Sequence, residues 1–252
     1  MSKNQVLKLN KKIGETPLEC IKRFKADNPE YAKEKMTYAG RLDPLAEGLL
    51  LVLVGDECKK KNEYLKLDKE YEVTVLFGLE TDSLDILGMI EKTKPGALDY
   101  FGKYTQGDFR TLLEKFEKTF TQKYPKFSSR TIAGRPLFQI SKEEGIAEKD
   151  LPEREVSIHQ IDFLGFGFLS KKYLHDYALE NIYKVKGNFR QNMIWCSWAD
   201  TLRNYPDQNL PTITLKVRCS SGTYMRSLAQ NIGKMVGYPS LALLIKRTMI
   251  YL

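Results

Sequence analysis

The segment AGRLDPLAEGLLLVLVG, residues 39–55, places a carboxylate where it could do chemistry. Asp43 lies between Gly40 and Gly48, which allow the backbone to approach another group closely. It also precedes an apolar run that indicates a strand, and loops anchored on strands often carry catalytic residues. The pair Asp43-Pro44 is equally typical of a helix start, with Asp as the cap. The residues alone leave both interpretations open.

An arginine near the C-terminus is the second candidate. Arg226 lies in CSSGTYMRSLAQNIG, residues 219–233, where Ser221 or Thr223 is predicted to cap a helix. A cation in the first turn of a helix opposes the helix dipole, and a neighbouring carboxylate or phosphate offsets that cost. We therefore hypothesise that Arg226 pairs with Asp43. An exposed arginine that is simply tolerated there is the alternative.

A tyrosine on a predicted strand is the third candidate. Tyr71 lies in the strand 70–78 and faces the same side as Val73, Val75 and Phe77. Core packing is the simplest interpretation of an apolar strand face.

The elements that must position these residues follow no regular βαβ alternation. Strands are predicted over 49–54, 70–78, 156–164 and 212–219, and helices over 17–26, 56–67, 108–120, 136–144 and 224–236. The segment 122–136 between two of them is basic, aromatic and loop-like. This mixture predicts an α+β (mixed α/β) fold rather than a doubly wound one.

The composition fits a protein that binds a polyanion. The chain has 252 residues, 42% of them hydrophobic, which is enough for a sizeable core. Lys and Arg number 40 against 32 Asp and Glu, so the net charge is +8. A basic excess suits nucleic acid, because each cation that meets a phosphate releases counterions. A solubilising surface is the alternative.

Several classes of protein and site are not indicated. The four cysteines show no Cys-x-x-Cys spacing, which fits a reducing compartment. The two histidines, His159 and His175, form no metal-binding or Ser–His pattern. The N-terminus lacks a signal-peptide run, and no stretch approaches the ~20 apolar residues of a membrane span. We expect no metal, no membrane association and a cytoplasmic location.

Residues 166–211 differ from the rest in character. Aromatic residues alternate there with lysines and an arginine, among them Tyr173, Tyr177, Tyr183, Phe189, Arg190, Trp195 and Trp198. Such a pattern suits base stacking and phosphate binding. An ordered segment whose aromatics pack onto the main body is the interpretation we favour.

Six segments in order resemble the TruB family of tRNA pseudouridine synthases. They are KKIGETP (11–17), AGRLDPLAEGLL (39–50), DKEYEVTVLFGLETDSLDILG (68–88), QKYPKFSSRTIAGRPLFQISKEEG (122–145), VRCSSGTYMRSLAQNIG (217–233) and LALLIKRT (241–248). The second is similar to the family's Gly-x-Leu-Asp-Pro-x-Ala-x-Gly catalytic loop. One short motif would be weak, whereas six in order cover most of the chain.

The resemblance implies a fold and a reaction. The fold is that of the pseudouridine synthases, a long, mixed, largely antiparallel sheet with flanking helices and loops. The reaction isomerises uridine to pseudouridine in tRNA, usually at position 55 of the T-loop, without a metal or organic cofactor. We expect a monomer that binds the T-arm, with one catalytic domain over 1–252 and no C-terminal RNA-binding PUA domain. Weaker RNA affinity, or compensation by the segment 166–211, would follow.

The resemblance also assigns roles to residues. Asp43 is the catalytic carboxylate, Arg226 its ion-pair partner, and Tyr71 the residue that stacks on the extracted base and helps to remove the C5 proton. A carboxylate suits the positive charge that builds at the sugar C1′; whether it adds to the sugar, adds to the base or abstracts a sugar proton stays open. The substrate-binding positions are Lys12, Gly14, Tyr38, Arg41, Arg130, Leu244, Lys246 and Arg247.

The sequence departs from the family pattern at several positions. Tyr38 stands where His is usual, and Ala39 follows it in place of Thr. Arg130 replaces Lys, which keeps the charge but changes its geometry, and Asn231 replaces Asp. The segment 166–211 is longer than the family's. Tyr38 is hypothesised to stack in place of the flipped base.

Three other functions compete with this one. Gly-Arg-Leu-Asp and Gly-Leu-Leu-Leu also resemble the pseudouridine synthases of ribosomal RNA, but the Lys-x-Tyr strand and the Cys-Ser-x-Gly-Thr-Tyr segment favour the tRNA enzymes. A non-catalytic RNA-binding or tRNA-folding protein would not require Asp43, Tyr71 and Arg226 together. A purely structural protein with a basic surface leaves the ordered motifs unexplained.

Overall fold

The computed structural model describes residues 4–252. Its strands are β1 (Gln5–Lys11), β2 (Met36–Ala39), β3 (Ala46–Val54), β4 (Lys69–Phe77), β5 (Leu79–Thr81), β6 (Ile90–Thr93), β7 (Thr119–Lys123), β8 (Thr131–Ile132), β9 (Arg135–Pro136), β10 (Glu153–Leu169), β11 (Leu210–Cys219) and β12 (Ser240–Ile250). Its α-helices are α1 (Pro17–Asp27), α2 (Lys61–Leu65), α3 (Ala97–Phe101), α4 (Gln106–Glu114), α5 (Leu137–Glu143), α6 (Lys171–Lys184), α7 (Gln191–Asn204) and α8 (Met225–Val236). Single stretches of 3₁₀ helix lie at Pro29–Tyr31, Gly55–Lys60 and Glu148–Asp150.

One large sheet organises the molecule. Its strand order is β1-β3-β12-β4-β11-β10-β7, and β2 also pairs with β3. All of these pairings are antiparallel except that of β12 with β3, where Ile245 lies opposite Ala46 and Arg247 opposite Gly48. The α+β fold class and the largely antiparallel sheet expected from the sequence are therefore confirmed.

The alternation of β4 divides the core between the two faces of the sheet. Tyr71, Val73, Val75 and Phe77 belong to one cluster, which also contains Leu228 and Ile232 of α8 and Phe109 and Leu113 of α4. Leu76 belongs to the cluster on the other face. The predicted orientation of Tyr71 toward an apolar face is confirmed, because successive side chains of a strand point to opposite faces.

Helices α6 and α7 form a helical hairpin that packs on the second face. Its buried residues include Leu174, Ile182, Ile194 and Trp198, and the indole Nε1 of Trp198 donates to the carbonyl of Gly88 at 2.9 Å. The favoured interpretation of residues 166–211 is confirmed for these buried positions. Tyr173 and Tyr183, by contrast, are exposed. The ends of the segment belong to β10 and β11 rather than to the hairpin.

The helix start at Asp43-Pro44 is wrong. The backbone turns there, with the Ala46 amide donating to the Asp43 carbonyl at 3.0 Å, and β3 then begins at Ala46. A helix is ruled out because the following residues pair with β12 on one side and β1 on the other. Asp43 thus lies in an irregular loop between β2 and β3.

Other boundaries also differ from prediction. The helix over 108–120 begins at Gln106, because Thr105 and Asp108 form the capping box, and it ends at Glu114. Phe120 is instead in β7, opposite Val156. The helix over 56–67 is a 3₁₀ turn followed by α2.

Candidate active site

Asp43 and Arg226 form an ion pair between residues 183 positions apart in the chain. The Arg226 Nε donates to the Asp43 Oδ2 at 2.8 Å, and Nη2 lies 2.8 Å from the same oxygen. The Arg226 side chain is 3% exposed and that of Asp43 is 30% exposed. The pairing hypothesised from two unmet charges is confirmed. The arginine is therefore fixed, while one side of the carboxylate stays open to solvent.

Arg226 is positioned by the first turn of α8, as expected. Neither Ser221 nor Thr223 caps this helix: the N-cap is Tyr224, without a side-chain bond, and the Thr223 hydroxyl donates to the Ser220 carbonyl at 2.9 Å. The cost of a cation near the helix N-terminus is offset by neighbouring acceptors instead.

These acceptors form a closed shell around the guanidinium. Nη1 donates to the Ser83 carbonyl at 2.8 Å, Nη2 donates to the Phe127 carbonyl at 3.4 Å, and Nε lies 3.7 Å from the Asp85 Oδ2. Burial would lower the pKa of Arg226, but Asp43 and then Asp85 raise it above its ordinary value. Burial also raises the pKa of the Asp85 carboxyl to about 6.

A buried lysine that sequence analysis did not single out supports the loop. The Lys11 Nζ donates to the carbonyls of Lys12 and Pro44 at 3.1 Å and of Ala46 at 2.5 Å. Lys11 is fully buried, and burial lowers its pKa to about 8. The predicted residue Lys12, next in the chain, is exposed. The signal was available, since Lys11 is the first residue of the segment KKIGETP, which also contains Gly14.

Arg247 supports the same loop from β12. Its Nε donates to the Leu49 carbonyl at 2.6 Å and its Nη2 to the Gly40 carbonyl at 3.1 Å. A Cβ on Gly48, where φ is +99°, would lie 2.3 Å from the Arg247 carbonyl oxygen. The glycine therefore makes room for a neighbouring strand of the protein. Arg247, predicted to bind substrate, also holds the loop backbone.

Two cavities meet at Asp43. The tyrosine cavity, about 400 Å³, is lined by Asp43 and Tyr71 together with Gly40, Arg41, Leu42, Ala46, Leu65, Lys66, Lys69, Ser129, Arg154, Ser221, Gly222, Thr223, Tyr224, Met225, Ile245 and Arg247. The phenylalanine cavity, about 190 Å³, is lined by Asp43 and Arg226 together with Arg41, Pro44, Ser83, Asp85, Leu87, Phe127, Ser129, Phe138, Lys142, Asn188, Phe189 and Arg190. Asp43, Arg41 and Ser129 line both. The loop carboxylate is thus the point shared by two spaces of different character.

Tyr71 both packs in the core and borders the tyrosine cavity. It packs in the core cluster with Leu42 and Ala46, is 9% exposed, and lines the tyrosine cavity. Burial raises the pKa of its phenol, so the hydroxyl stays protonated at neutral pH.

Tyr38 does not line either cavity. It packs against the cluster that contains Cys20, Ile21 and Val52, and the Lys61 Nζ lies 5.3 Å from its ring centroid. The hypothesis that Tyr38 stacks in place of a flipped base therefore finds no support in its position.

The remaining predicted positions lie outside the two cavities, apart from Arg41. Lys12 and Gly14 line a separate groove of about 600 Å³. The exposed Arg130 lies with its guanidinium carbon 5.5 Å from the Tyr124 ring centroid, and Lys246 is exposed on β12.

Ile245, and not the predicted Leu244, borders the tyrosine cavity. Ile245 lines the tyrosine cavity, whereas Leu244 is absent from both linings. An irregularity in the pairing of β12 with β4, between Ala242 and Leu244, shifts the alternation of side chains by one residue.

The two buried lysines predict a pH dependence of stability. Burial lowers the pKa of Lys11 and of Lys69 to about 8, from 10.5. Between these values the unfolded chain holds protons that the native protein has released, so stability rises with pH. We expect the free energy of unfolding, measured by urea titration, to increase from about pH 8 toward pH 9, above which the buried thiol of Cys219, whose pKa is raised from 9.0 to about 12, opposes the rise. The double variant Lys11→Met, Lys69→Met should flatten this rise, while Lys118→Met on the surface should keep it. An unchanged slope in the double variant would contradict the assignment.

Two general features belong to residues 4–252. No helix among them is long and apolar enough to cross a membrane. Within the same residues, no group of three or more His, Cys, Asp or Glu side chains is arranged to hold a metal ion.

Comparison with known sequences places this site in a family context. A family model described as TruB family pseudouridylate synthase (N terminal domain) matches residues 29–173. The tRNA pseudouridine synthase B of Bordetella pertussis is 29% identical over 243 residues, which are 96% of this chain and 79% of that protein. The tRNA pseudouridine synthase B of Nitratidesulfovibrio vulgaris (strain Hildenborough) is 27% identical over 234 residues, which are 92% of this chain and 59% of that protein.

Solved structures share the fold. A chain in the crystal structure of a Cbf5-Nop10-Gar1 complex superposes with a TM-score of 0.56 over 97% of this chain, at 17% identity. A chain in the structure of an H/ACA RNP bound to a substrate RNA containing 2′-deoxyuridine gives 0.53 at 16% identity. This protein spans about half the length of those chains, 48% and 47%. At such identities the likeness concerns the fold alone.

Proposed function

The chain belongs to the TruB family of pseudouridylate synthases, and from this premise we propose that it isomerises uridine to pseudouridine in tRNA. Its relatives named tRNA pseudouridine synthase B match it over nearly its whole length. The target we propose is the T-loop uridine at position 55, bound through the T-arm. The observation that carries the proposal is Asp43, fixed by Arg226 at 2.8 Å where two cavities meet. A monomeric enzyme and a cytoplasmic location stay predictions.

The geometry suits the chemistry of this isomerisation. The reaction breaks the bond between ribose C1′ and uracil N1, turns the base and joins C1′ to C5, so that C5 loses a proton and N1 gains one. A carboxylate serves it by adding to the sugar, by adding to the base or by abstracting a sugar proton. Each role needs one oriented oxygen beside the nucleotide. Arg226 holds Oδ2 of Asp43 through two of its nitrogens, which leaves Oδ1 for the substrate.

The tyrosine cavity suits the target nucleotide. Its lining includes five cations, Arg41, Lys66, Lys69, Arg154 and Arg247, which favour an anionic backbone. Within residues 4–252, the buried Nε of Arg154 has no hydrogen-bond partner. Extracting a base from a folded loop costs a few kcal/mol, and contacts with phosphates offset that cost.

Tyr71 is assigned to the base itself. Its ring borders the tyrosine cavity that Asp43 also lines, and a ring suits stacking on uracil. Its hydroxyl would take part in removal of the C5 proton as a relay, accepting that proton on its oxygen while it passes its own proton to water.

Replacing Tyr71 with phenylalanine separates these two contributions. The ring remains, so KM for tRNA should change little. Loss of the hydroxyl should lower kcat by about 10²–10⁴-fold, the usual range for one acid–base group. The measurement is a steady-state assay of pseudouridine formation, with Tyr251→Phe as the control, since the Tyr251 hydroxyl binds Glu70 outside both cavities. Full activity of Tyr71→Phe would limit Tyr71 to stacking.

Tritium release tests the proposed function as a whole. The protein is incubated with a tRNA transcript labelled with tritium at uridine C5, and with a matched transcript in which the T-loop uridine is cytidine. We expect tritium release from the first transcript. The second transcript, which has no uridine at that position, should release none. Release from ribosomal RNA alone would indicate the other synthase class, and tight tRNA binding without release would indicate a non-catalytic RNA-binding protein.

A further inference from the structure

The phenylalanine cavity is partly built by a segment that the family pattern does not explain. The hairpin tip, residues 187–190 between α6 and α7, contributes Asn188, Phe189 and Arg190 to its lining. The same cavity is lined by Asp43 and Arg226. A segment remote in sequence thus reaches the active site and shares a wall with its carboxylate.

The hairpin tip is held firmly in this position. Arg190 adopts the left-handed region, with φ +64°, which is strained for a residue with a side chain and is common at functional sites. Its Nη1 and Nη2 donate to the two oxygens of Asp82 at 2.9 and 3.3 Å. Both side chains are largely buried, at 14% and 7% exposed. A bidentate pair of this kind fixes orientation as well as position.

The hairpin tip also contacts the shell of Arg226. The Arg190 guanidinium carbon lies 4.2 Å from the ring centroid of Phe127, a cation–π contact, and the Phe127 carbonyl accepts from Arg226. On the other side, the Lys142 Nζ donates to the Asn188 Oδ1 at 3.4 Å. The tip therefore joins the segment 122–145 to the catalytic ion pair through defined contacts.

The chemical character of the cavity suits a nucleobase and its phosphate. Three rings, those of Phe127, Phe138 and Phe189, line it beside the cations Arg41 and Lys142. Aromatic rings stack on bases of any identity, and nearby cations bind the backbone. Phe138 is 42% exposed, so a ring surface is available without rearrangement of the core. Phe189 is held by its amide, which donates to the Gln191 Oε1 at 3.0 Å.

We propose that the phenylalanine cavity binds the base of a nucleotide next to the target uridine in the same RNA strand, and that Phe189 of the hairpin tip is a specificity-determining residue. This inference rests on the proposed function. A strand that places its uridine in the tyrosine cavity passes Asp43, and Asp43 also borders the phenylalanine cavity. One nucleotide step along the strand therefore brings the neighbouring base between the phenylalanine rings.

Replacing Phe189 with alanine tests the proposal when it is combined with RNAs that lack one base. Tritium release is measured on a T-arm stem-loop and on stem-loops with an abasic site immediately 5′ or 3′ of the target. Phe189→Ala should raise KM by about tenfold, the loss expected for one stacked base, with kcat little changed. For the wild-type protein, one of the two abasic RNAs should raise KM by about the same factor as Phe189→Ala does. For Phe189→Ala, that abasic RNA and the intact RNA should have the same KM.

Control variants keep this test decisive. Met193→Ala removes an exposed side chain from the same hairpin that is absent from the cavity lining, and should leave KM unchanged. Phe189→Trp keeps an aromatic ring at this position and should keep the wild-type KM. If Phe189→Ala fails to fold, Asn188→Ala is the second variant: it changes an exposed residue of the hairpin tip, leaves the core intact and should raise KM. The inference would be overturned if Phe189→Ala had the KM of the wild-type protein. It would also be overturned if each abasic RNA raised the KM of Phe189→Ala by as much as it raises that of the wild-type protein. Absence of release by the wild-type protein from every RNA would instead refute the proposed function.

Discussion

The variant Asp43→Asn is expected to lose pseudouridine formation by on the order of 10⁴-fold, comparable to removal of a central catalytic group in other enzymes. Asparagine has nearly the same shape as aspartate, so the loop that carries residue 43 should keep its conformation, held by hydrogen bonds from Lys11 and Arg247. The loss is chemical, because a neutral amide neither attacks nor stabilises a developing positive charge at C1′. tRNA affinity should be retained, since the cations of the tyrosine cavity are untouched.

The measurement combines single-turnover kinetics with a binding assay on the same tRNA. Asp99→Asn, which removes an exposed carboxylate on α3, is the matched control and should react at the wild-type rate. Turnover by Asp43→Asn above about a tenth of the wild-type rate would exclude a direct role in chemistry, since single acid–base groups contribute about 10²-fold or more. If Asp43→Asn lost both tRNA binding and turnover, the carboxylate would be needed for the structure of the loop and not for the chemical step.

Replacing Arg226 with methionine is expected to impair both stability and activity. The change leaves Asp43 and the buried Asp85 without their cation and removes the donor to the Ser83 carbonyl. Breaking a buried ion pair from one side costs about 3–5 kcal/mol of unfolding free energy. Turnover should fall by about 10²–10³-fold, because the Asp43 oxygen loses the group that orients it.

A pH series distinguishes this cause from a general packing defect. Burial raises the pKa of Asp85 even beside Arg226, which itself lowers it, so removal of Arg226 raises that pKa further. A carboxyl whose folded pKa lies above its unfolded value binds a proton more readily in the native state, and its native state gains stability as pH falls. The stability deficit of Arg226→Met in urea titrations should therefore shrink as pH falls toward about 6, the pKa of Asp85 in the wild-type protein, and should level off below that pH.

Arg226→Lys is the matched variant for this experiment. Lysine keeps the charge but lacks the planar fork that reaches Asp43 and the Ser83 carbonyl together. It should restore much of the stability while leaving turnover low. A deficit in Arg226→Met that is independent of pH would assign the effect to lost packing instead.

Local pattern was sufficient for several parts of this molecule. The face of β4 that carries Tyr71 follows from strict alternation in a strand of nine residues. Helix α1 follows from the capping box of Thr16 and Glu19. The pairing of Asp43 with Arg226 followed from two charges that each lacked a local partner. The alternation of β4 and the capping box of α1 depend on residues close together in the sequence. The ion pair follows from a requirement of every fold, namely that a buried charge has a partner of opposite charge.

Local pattern failed where neighbouring strands decide the conformation. Asp43-Pro44 has the chemistry of a helix start, yet β1 and β12 draw the following residues into a strand. The irregularity in β12 moves Ile245 rather than Leu244 to the cavity. Tyr38 is adjacent in sequence to the catalytic loop but packs against α1. Sequence distance to a motif is therefore a poor guide to distance from the site.

The sequence by itself determined the class of chemistry through six ordered segments that resemble the TruB family, which contain Asp43, Tyr71 and Arg226. Only the tertiary structure decided how the carboxylate is held and what surrounds it. Burial of Lys11 beneath the loop, and the position of Phe189 beside Asp43, depend on which strands are neighbours and on how the hairpin packs on the sheet. Contacts of this kind join residues far apart in the chain, so no local propensity or periodicity encodes them.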